Sequence, residues 1–583
     1  MSSIAKIDYM LRLSALVVTI AFAGLQIHAN DFGLIDQEGR FHQLSRYSDK
    51  QAIVLFVQKN GDATSRQLLP MIADLQRRFS DKSVLVLAIN LDPEVSRNEI
   101  IRELSLLGVK LPVLIDTAQV VGRTLGIERT GEAFLINPKT FDVVFRGSVS
   151  PVQPPASGPK DDNLMPSHLE SALIEFLSSK EPIKPMEPYS DGVAIQWQNS
   201  AVIPKGEASY EEDIAPIFQR RCATCHVENG LAPWAMTSHR MLQGWSPMIR
   251  EVLLTRRMPP GQIDMEIGEW ADVHQITDDE IALLVHWIDS GAPMSGDQDP
   301  LAKPAVESPA WPLGTPDVIV DLPEVTIPAT GILDFEYRKI ELQLEADRWV
   351  HAVAYGVGAP SVLHSLLVYT LNQDATISSS ADLVSNKNAE FISIYVPGKT
   401  VDALADNAGF LLRKGSNLSV KLRYMTSGRE TIDNTSIGFY FRDTPPEFSA
   451  HSIVVAKDDF IIPAGESNLV VTSTSTPINS DFFVSSFAPQ MHSRGKSTSI
   501  SAISPGGNTI KLINVPNYNY NWQMNYNLKE LASFPAGTYF FSETIYDNSY
   551  SNPFNIKPEI DVVTGQTSEN EILSHYIRIM IEN

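Results

Sequence analysis

The sequence predicts a multidomain protein in which an α/β domain, an all-α domain and two tandem antiparallel β-sandwiches follow one another along 583 residues. Apolar runs alternate with helix-compatible stretches near the N-terminus. Amphipathic helical patterns follow, and short apolar runs between turn residues fill the remainder. Pro-rich stretches without periodicity indicate linkers. The predicted boundaries are 1–29 for a signal segment, 30–182 for the α/β domain, 183–204 for a linker, 205–298 for the all-α domain, 299–315 for a second linker, and 316–445 and 446–583 for the two sandwiches.

The composition excludes several classes of protein. The chain carries 46 Lys and Arg against 69 Asp and Glu, a net charge of −23, which argues against binding to the phosphate backbone of nucleic acid. Hydrophobic residues make up 43% of the chain, which is enough for packed cores and too much for a wholly disordered protein. The 2 cysteines cannot build a disulfide scaffold.

The first residues have the pattern of a secretory signal peptide. Lys6 and Arg12 precede the uncharged stretch 13–25, which would form about 20 Å of helix, short of the roughly 30 Å of a bilayer core. The small-residue cleavage pattern from Ile27 to Ala29 follows. We therefore expect an exported, periplasmic protein without membrane contact after cleavage. An uncleaved membrane anchor is the alternative.

Strands and helices alternate in the first domain. The apolar runs Ala52–Val57 and Val84–Ile89 predict buried strands, and Ser65–Phe79 is compatible with a helix between them. Phe134–Asn137 begins a further strand after an intervening helix. This alternation predicts an α/β sheet.

These sequence segments resemble the redoxin branch of the thioredoxin superfamily. Residues 32–39 look like that family's opening strand and turn, and residues 60–66 lie where it places its reactive cysteine. No cysteine is present there, and Gly131 stands where the family has a cis proline. Because thiol–disulfide exchange and cysteine peroxidase chemistry need a thiolate, the resemblance implies a docking or scaffolding domain. An active redoxin is the alternative.

Both cysteines of the chain lie in one motif, Cys222-Ala-Thr-Cys225-His226. Cys-x-x-Cys-His is the attachment signature of c-type haem. In it Cys222 and Cys225 form thioethers and His226 becomes the proximal iron ligand. A zinc site would need further Cys or His ligands at regular spacing, and a redox dithiol is the other alternative. We therefore expect one covalent haem c.

The surrounding sequence resembles a small class I cytochrome c domain. An amphipathic stretch, 210–218, precedes the motif, and Thr277 with Glu280 forms a capping-box pattern at the start of a later helix. The resemblance implies a methionine as the second axial ligand, and Met258, followed by two prolines, matches the family's element. Four other methionines are rivals, and three histidines are expected to be ordinary surface or core residues: Met236, Met241, Met248 and Met265, and His239, His274 and His286.

The last part of the chain predicts β-sandwich architecture. Short apolar runs recur between Gly, Pro, Asn and Asp turns, as in Val318–Val320, Val350–Val353, Leu366–Tyr369, Ile437–Phe441 and Ile453–Ala456. The sequence of this region resembles the ascorbate-dependent type II copper monooxygenases of the peptidylglycine α-hydroxylating type. More closely, it resembles bacterial proteins that join a redoxin domain, a cytochrome c domain and this copper fold in one chain.

Most copper ligands of that family have no counterpart here. His364 is retained, but Ser365 and Arg423 stand where the family has the other two His of one site. In the second site His492 is retained, Gln490 replaces a His, and no Met occurs near residues 570–572. His364 and His492 are therefore weak vestigial copper candidates, interpreted as relics hydrogen-bonded on a sandwich surface, and bound copper is not expected. A rebuilt metal site would have to draw on other residues: His351, Met425, Met491 and Met524.

Together these features predict an exported haem c protein that transfers single electrons, with no catalytic residues of its own. Its redoxin-like and monooxygenase-like domains would act as a scaffold or partner-binding surface. Two partners are expected: a redox protein and a catalytically complete homologous subunit. The negative net charge of the chain favours a redox partner with a basic surface. One alternative is a copper-dependent monooxygenase fed by the haem through a non-standard ligand set. Another is a binding protein stabilised by haem.

Overall fold

The computed structural model describes residues 29–149, 167–179, 190–197, 208–271, 275–302, 311–371, 389–565 and 567–583. The predicted signal segment lies outside these residues apart from Ala29. The chain forms two compact units, one mainly from residues 42–198 and the other mainly from residues 199–583. In the ranges described, no helix combines the length and the apolar character needed to cross a membrane.

The first unit contains a five-stranded mixed sheet with helices. Near the start of the described chain a separate two-stranded sheet is formed by β1 (Gly33–Ile35) and β2 (Phe41–Gln43). The strands of the larger sheet are β3 (Ala52–Gln58), β4 (Val84–Asn90), β5 (Val113–Ile115), β6 (Glu132–Ile136) and β7 (Val143–Ser148). The helices are α1 (Ala63–Arg78), α2 (Arg97–Leu107), α3 (Val120–Leu125) and α4 (His168–Ser179), with 3-10 turns at Leu44–Tyr47 and Ser80–Lys82.

The strand order is β5-β4-β3-β6-β7, with β3, β4 and β5 parallel and β6 and β7 antiparallel additions. Every residue of β3 is buried, as expected for a central strand covered on both faces. Helix α1 begins at Asp62, whose carboxylate accepts the Ser65 backbone N–H at 2.8 Å. The strands and the helix predicted for this domain are confirmed, and they place the start of α1 directly after β3.

Residues 208–302 carry short helices before the β-rich region. A π-helical turn at Tyr210–Ile214 leads into α5 (Ala215–Arg221), and α6 (His239–Leu254) and α7 (Asp278–Asp289) follow, with a 3-10 turn at Pro300–Ala302. Thr277 and Glu280 form the predicted capping box at the start of α7. A separate all-α domain is not evident. The strand β8 (Trp270–Ala271) pairs with a strand of the last sandwich, and Trp270 lies in that sandwich's core. Burying this indole joins the helical segment to the β region.

The β-rich region is built from antiparallel sheets. Its strands are β9 (Val318–Asp321), β10 (Val325–Ile327), β11 (Glu336–Glu341), β12 (Arg348–Gly356), β13 (Leu363–Leu371), β14 (Ala389–Tyr395), β15 (Val401–Ala403), β16 (Ala408–Leu412), β17 (Asn417–Tyr424), β18 (Thr431–Asp433), β19 (Ser436–Arg442), β20 (Phe448–Lys457), β21 (Ile461–Ile462), β22 (Leu469–Thr474), β23 (Phe482–Gln490), β24 (Gly495–Ile503), β25 (Thr509–Val515), β26 (Tyr526–Phe534), β27 (Tyr539–Tyr546), β28 (Val562–Val563) and β29 (Leu573–Glu582). The five predicted apolar runs all fall within these strands.

The two predicted sandwiches share one sheet. A ten-stranded sheet runs β8-β26-β23-β29-β20-β16-β12-β19-β9, with β15 attached to β12, and its two halves meet at a parallel pairing of β16 with β20. The four-stranded sheet β11-β17-β13-β14 covers one half, and the sheet β22-β27-β24-β25 covers the other. Each half has its own hydrophobic core. The strand β17 is buried along its whole length.

Candidate functional site

The Cys-x-x-Cys-His motif forms a tight turn directly after α5. The Cys222 N–H donates to the Phe218 carbonyl at 3.0 Å, which continues the helix by one bond. The His226 N–H donates to the Cys222 carbonyl at 3.1 Å, which closes a turn across the motif. This geometry explains the spacing, since one turn brings both sulfur atoms and the imidazole to the same side of the backbone.

That side opens into a cavity of about 790 Å³. Cys222, Cys225, His226 and Met258 all line it. The volume is within the range of roughly 300–1,000 Å³ typical of ligand and cofactor sites. The four residues predicted to hold a haem, which span the motif and a loop after α6, therefore share one cavity.

His226 is held in the tautomer that suits an iron ligand. Its Nδ1 lies 2.9 Å from the carbonyl oxygen of Trp234. Because a carbonyl oxygen can only accept, Nδ1 carries the proton and Nε2 keeps its lone pair. The Trp234 ring also packs edge-on against the imidazole, with 5.0 Å between centroids. Burial lowers the pKa of His226, against the hydrogen bond to Trp234, and so favours the neutral ring.

The two cysteines are not activated thiols. Burial raises the pKa of Cys222 to about 12, with smaller contributions from Cys225 and Glu280, and burial raises the pKa of Cys225 to about 11. A redox dithiol needs at least one thiol with a lowered pKa, and zinc needs thiolates. The raised pKa values therefore disfavour a redox dithiol at this motif.

Met258 lies in the loop after α6, more than thirty residues after the motif, and lines the same cavity. Gln262 holds this loop by donating to the carbonyl oxygens of Arg256 at 3.1 Å and Pro259 at 3.0 Å. The rivals Met236 and Met248 also line the cavity, whereas Met241 and Met265 do not. His239 bonds the Ala292 carbonyl at 3.0 Å, and His274 lies outside the described residues.

The β-sandwiches supply a wall of the same cavity. Its lining includes His364, Pro397, Met425, Trp522 and Met524. The Cys225 sulfur lies 3.9 Å from the Pro397 carbonyl oxygen. The Cys222–His226 motif is therefore enclosed by both the helical segment and the β region.

The interpretation of His364 and His492 as surface relics is wrong. Both residues are 1% exposed, and in the described part of the chain the Nε2 atom of each is buried without a hydrogen-bond partner. The reason is that both residues lie where the two sandwiches meet: the Trp522 ring of the second sandwich lies 6.1 Å from the His364 ring, and the Phe335 ring of the first stacks on His492 with 4.9 Å between centroids. Arg423 of β17 also bonds the Tyr520 carbonyl of the second sandwich. The polar positions of this strand therefore lie at an interface.

The surroundings of both imidazoles do not fit copper. Arg423 Nη1 lies 3.4 Å from His364 Nδ1. Burial, and then the charges of Lys421 and Arg423 among its neighbours, lower the pKa of His492 far below its usual value. The guanidinium of Arg423 keeps its charge in a protein and repels a metal ion. Among the described residues no group of three His, Cys, Asp or Glu side chains that could hold a metal occurs.

Glu571 holds the His492 turn and was not found from the sequence. It occupies the region where the family resemblance implies a thioether. Its carboxylate accepts the backbone N–H groups of His492 at 2.8 Å and Arg494 at 2.7 Å. Burial raises its pKa to about 7 against these hydrogen bonds. Its role depends on backbone groups 79 and 77 residues away, and no local pattern signals such contacts.

In the first unit, the turn between β3 and α1 has no thiol. Asp62 caps α1 and also accepts a hydrogen bond from the Thr130 hydroxyl at 3.0 Å. Gly131 has φ +76°, and a Cβ there would lie 2.6 Å from the Ser190 hydroxyl oxygen. The position expected to hold a cis proline therefore needs a glycine here.

Residues 25–150 match the AhpC/TSA family. This match confirms the redoxin-like fold predicted for the first domain. No curated protein matches the chain. A hypothetical protein from Sinorhizobium meliloti is 21% identical, covers 30% of this chain and 96% of its own, and has a TM-score of 0.26. A putative thiol:disulfide interchange protein from Chlorobium tepidum is 21% identical, with 26% and 96% covered and a TM-score of 0.21. The exposed lipoprotein thioredoxin of Streptococcus pneumoniae is 18% identical, with 25% and 98% covered and a TM-score of 0.20.

A strap formed by residues 190–197 pairs with the AhpC/TSA-like domain beside this turn. The Thr130 N–H donates to the Val193 carbonyl at 2.9 Å, and the Ile195 N–H donates to the Glu128 carbonyl at 2.8 Å. Arg123 lies over the Trp197 ring at 4.6 Å. The loop that approaches the start of α1 is therefore already paired with the chain's own backbone.

Gly398 allows the first sandwich to approach the Cys222–His226 motif, and replacing it should be costly. It has φ +86°, and a Cβ would lie 3.3 Å from the Cys225 sulfur. We expect Gly398→Val to lose about 1–3 kcal/mol through backbone strain and at least about 1 kcal/mol more through overpacking, as measured by urea unfolding. Gly465→Val is the matched control, since Gly465 has φ +72° and nothing within 4 Å of a Cβ. Equal losses in the two variants would contradict the contact.

Lys421 should make stability depend on pH in the alkaline range. Burial, aided by Arg423, lowers its pKa from 10.5 to about 7. Between these values the unfolded chain binds the proton and the folded chain does not, so this group's cost is full below pH 7 and declines as the pH rises towards 10.5. We expect Lys421→Met to raise the free energy of unfolding by on the order of 2 kcal/mol or more at pH 6 relative to pH 10. A gain that is the same at both pH values would show that Lys421 is not neutralised by folding.

Proposed function

We propose that this protein is an exported c-type haem protein that passes single electrons, with Cys222 and Cys225 as the thioether residues and His226 and Met258 as the axial ligands. The observation that carries the proposal is that all four side chains line one cavity. The Trp234 carbonyl supports the role of His226, because it leaves Nε2 as the nitrogen with the lone pair.

The residues present fit this group and its chemistry. When bound, a haem with His and Met ligands supplies one-electron redox chemistry without an open coordination position. The chain's own residues attach it, orient the imidazole and enclose it with apolar and thioether side chains. Enclosure matters because a dry, low-dielectric site strengthens the effect of nearby charges on the iron.

The AhpC/TSA-like domain fits a scaffolding role within this proposal. It has no cysteine in the described residues, and the strap 190–197 pairs with the loop at the start of α1. A redox protein is the proposed electron partner, and a catalytically complete homologous subunit is a second partner. Export is proposed from the pattern of residues 1–29.

The alternative, a copper-dependent monooxygenase with a non-standard ligand set, is disfavoured by Arg423. A guanidinium cannot lose its proton in a protein and has no lone pair to give a metal. With its Nη1 3.4 Å from His364, it opposes copper binding at that imidazole.

One purification tests the proposal. The full chain, produced in a host that can attach haem c, is examined by intact mass, by a reduced-minus-oxidised spectrum and by metal analysis. We expect a mass that exceeds the processed chain by one haem, and copper far below one equivalent. A colourless protein with an unmodified mass would overturn the haem proposal, and tightly held stoichiometric copper would support the enzyme alternative.

A further inference from the structure

A buried cation lies directly behind the β-sandwich wall of the haem cavity. His364 and Asn521 line the cavity, and both contact Arg423. Arg423 donates to Asn521 Oδ1 at 3.1 Å and to the Tyr520 carbonyl at 2.8 Å, and its guanidinium lies 3.6 Å above the Tyr520 ring. One layer of side chains thus separates Arg423 from the cavity.

The charge of Arg423 is not compensated by these contacts. Each of its hydrogen-bond partners in the described chain is a neutral group, namely a carbonyl, an amide oxygen and an imidazole. The residue is 8% exposed, so water screens the charge only weakly. The field of this guanidinium is therefore only weakly screened in the direction of the cavity-lining imidazole and amide.

We propose that Arg423 is a positioning residue for the haem, which holds His364 against the cavity and raises the reduction potential of the iron. This inference rests on the proposed haem site and goes beyond it, because it assigns a tuning role to a residue of the monooxygenase-like region. Reduction of the iron from Fe(III) to Fe(II) by one electron from an external donor removes one positive charge from the site. A fixed cation nearby repels the oxidised form more than the reduced form, so it favours reduction.

His364 links Arg423 to the cavity wall. The residue lines the cavity and is 1% exposed, and Arg423 Nη1 lies 3.4 Å from its Nδ1. Its Nε2 is buried without a hydrogen-bond partner in the described structure, which is costly. The contact with Arg423 therefore helps to keep this ring in the cavity wall.

The test is potentiometry on the full-length holoprotein. We expect Arg423→Met to lower the equilibrium constant for one-electron reduction at least tenfold, which corresponds to 59 mV, and Arg423→Lys to restore most of the potential. Lys421→Met is the matched control. Lys421 lies two positions along the same strand, 4.0 Å above the Phe335 ring. Burial lowers its pKa to about 7, so the comparison is made at pH 6, where the Lys421→Met change also removes a buried positive charge. It should shift the potential much less.

A second pair of variants keeps the guanidinium in place. Ser365 is 1% exposed and lies opposite Arg423 in the pairing of β13 with β17. We expect Ser365→Asp to neutralise the cation and lower the potential, and Ser365→Asn to leave it nearly unchanged. These two variants test whether the charge of Arg423 sets the potential if Arg423→Met does not fold.

The outcomes distinguish a failure of this inference from a failure of the proposed haem site. A chain without covalent haem by mass would overturn both. A chain with haem whose potential is unchanged by Ser365→Asp and Arg423→Met, or is shifted equally by Lys421→Met, would overturn only the role of Arg423.

Discussion

Replacing Met258 with alanine is expected to leave the haem attached and to lower its reduction potential. A thioether ligand stabilises ferrous iron, and its loss exposes the sixth position to water or to a harder ligand. We expect at least a tenfold fall in the equilibrium constant for reduction, or about 59 mV, together with a changed absorption spectrum. Intact mass should remain that of the haem-bearing chain, because Cys222 and Cys225 are untouched.

Met236→Ala is the matched control for this prediction. Met236 lines the same cavity, is only 8% exposed and follows the motif more closely than Met258. Truncating it removes packing around the haem without removing the proposed ligand, so stability should fall while the spectrum is preserved. The reverse pattern, with a changed spectrum in Met236→Ala and an unchanged one in Met258→Ala, would reassign the sixth ligand to Met236.

Features fixed by neighbouring residues could be predicted from the sequence. The strand Ala52–Gln58 is apolar along its length, the helix after it begins at Asp62, and Thr277 with Glu280 caps α7. The Cys222–His226 turn closes within five residues. In each case the groups that interact are a few positions apart, so the pattern and the structure carry the same information.

Features set by distant partners could not be predicted. Arg423 bonds a carbonyl 97 residues away, and His364 is buried because a second sandwich covers its strand. An alternating strand indicates one buried face, and nothing in β13, which carries His364, or in β17, which carries Arg423, shows that the other face is covered too. The same applies to Trp270, which the helical pattern around it assigned to a separate all-α domain, although it packs into the last sandwich.

The sequence names the four residues proposed to hold a haem, but the shape of the cavity that they line could not be predicted. Cys-x-x-Cys-His names the attachment residues from spacing alone, and Met258 follows from a resemblance. That Trp234 orients His226 depends on a backbone carbonyl, and any residue type could supply it. That Pro397 and Trp522 enclose the site depends on how the β region folds back over the helical segment.

Replacing Asp402 with alanine should destabilise the β region more than any surface change. Arg578 on β29 of the second sandwich binds the Asp402 carboxylate on β15 of the first through two hydrogen bonds of 3.0 and 2.8 Å. Their side chains are only 4% and 1% exposed. Removing one partner leaves a buried charge unpaired, which costs about 3–5 kcal/mol. Urea unfolding of the full chain should show this loss as a lower transition midpoint.

The double variant Asp402→Ala with Arg578→Met separates the pair from its desolvation cost. Because burial of two charges opposes their attraction, the double variant should be more stable than Asp402→Ala alone, with a coupling energy of about 1–3 kcal/mol in the mutant cycle.

Burial acts to raise the pKa of Asp402, but Arg578 outweighs it and the pKa is lowered. The pair's contribution is therefore present above the carboxyl's ordinary pKa and is lost as the pH falls through its folded value. The difference in stability between the wild type and Asp402→Ala should accordingly shrink in acid. A difference that is constant with pH, or a single-variant loss below about 1 kcal/mol, the range of exposed pairs, would mean that this ion pair does not hold the sandwiches together.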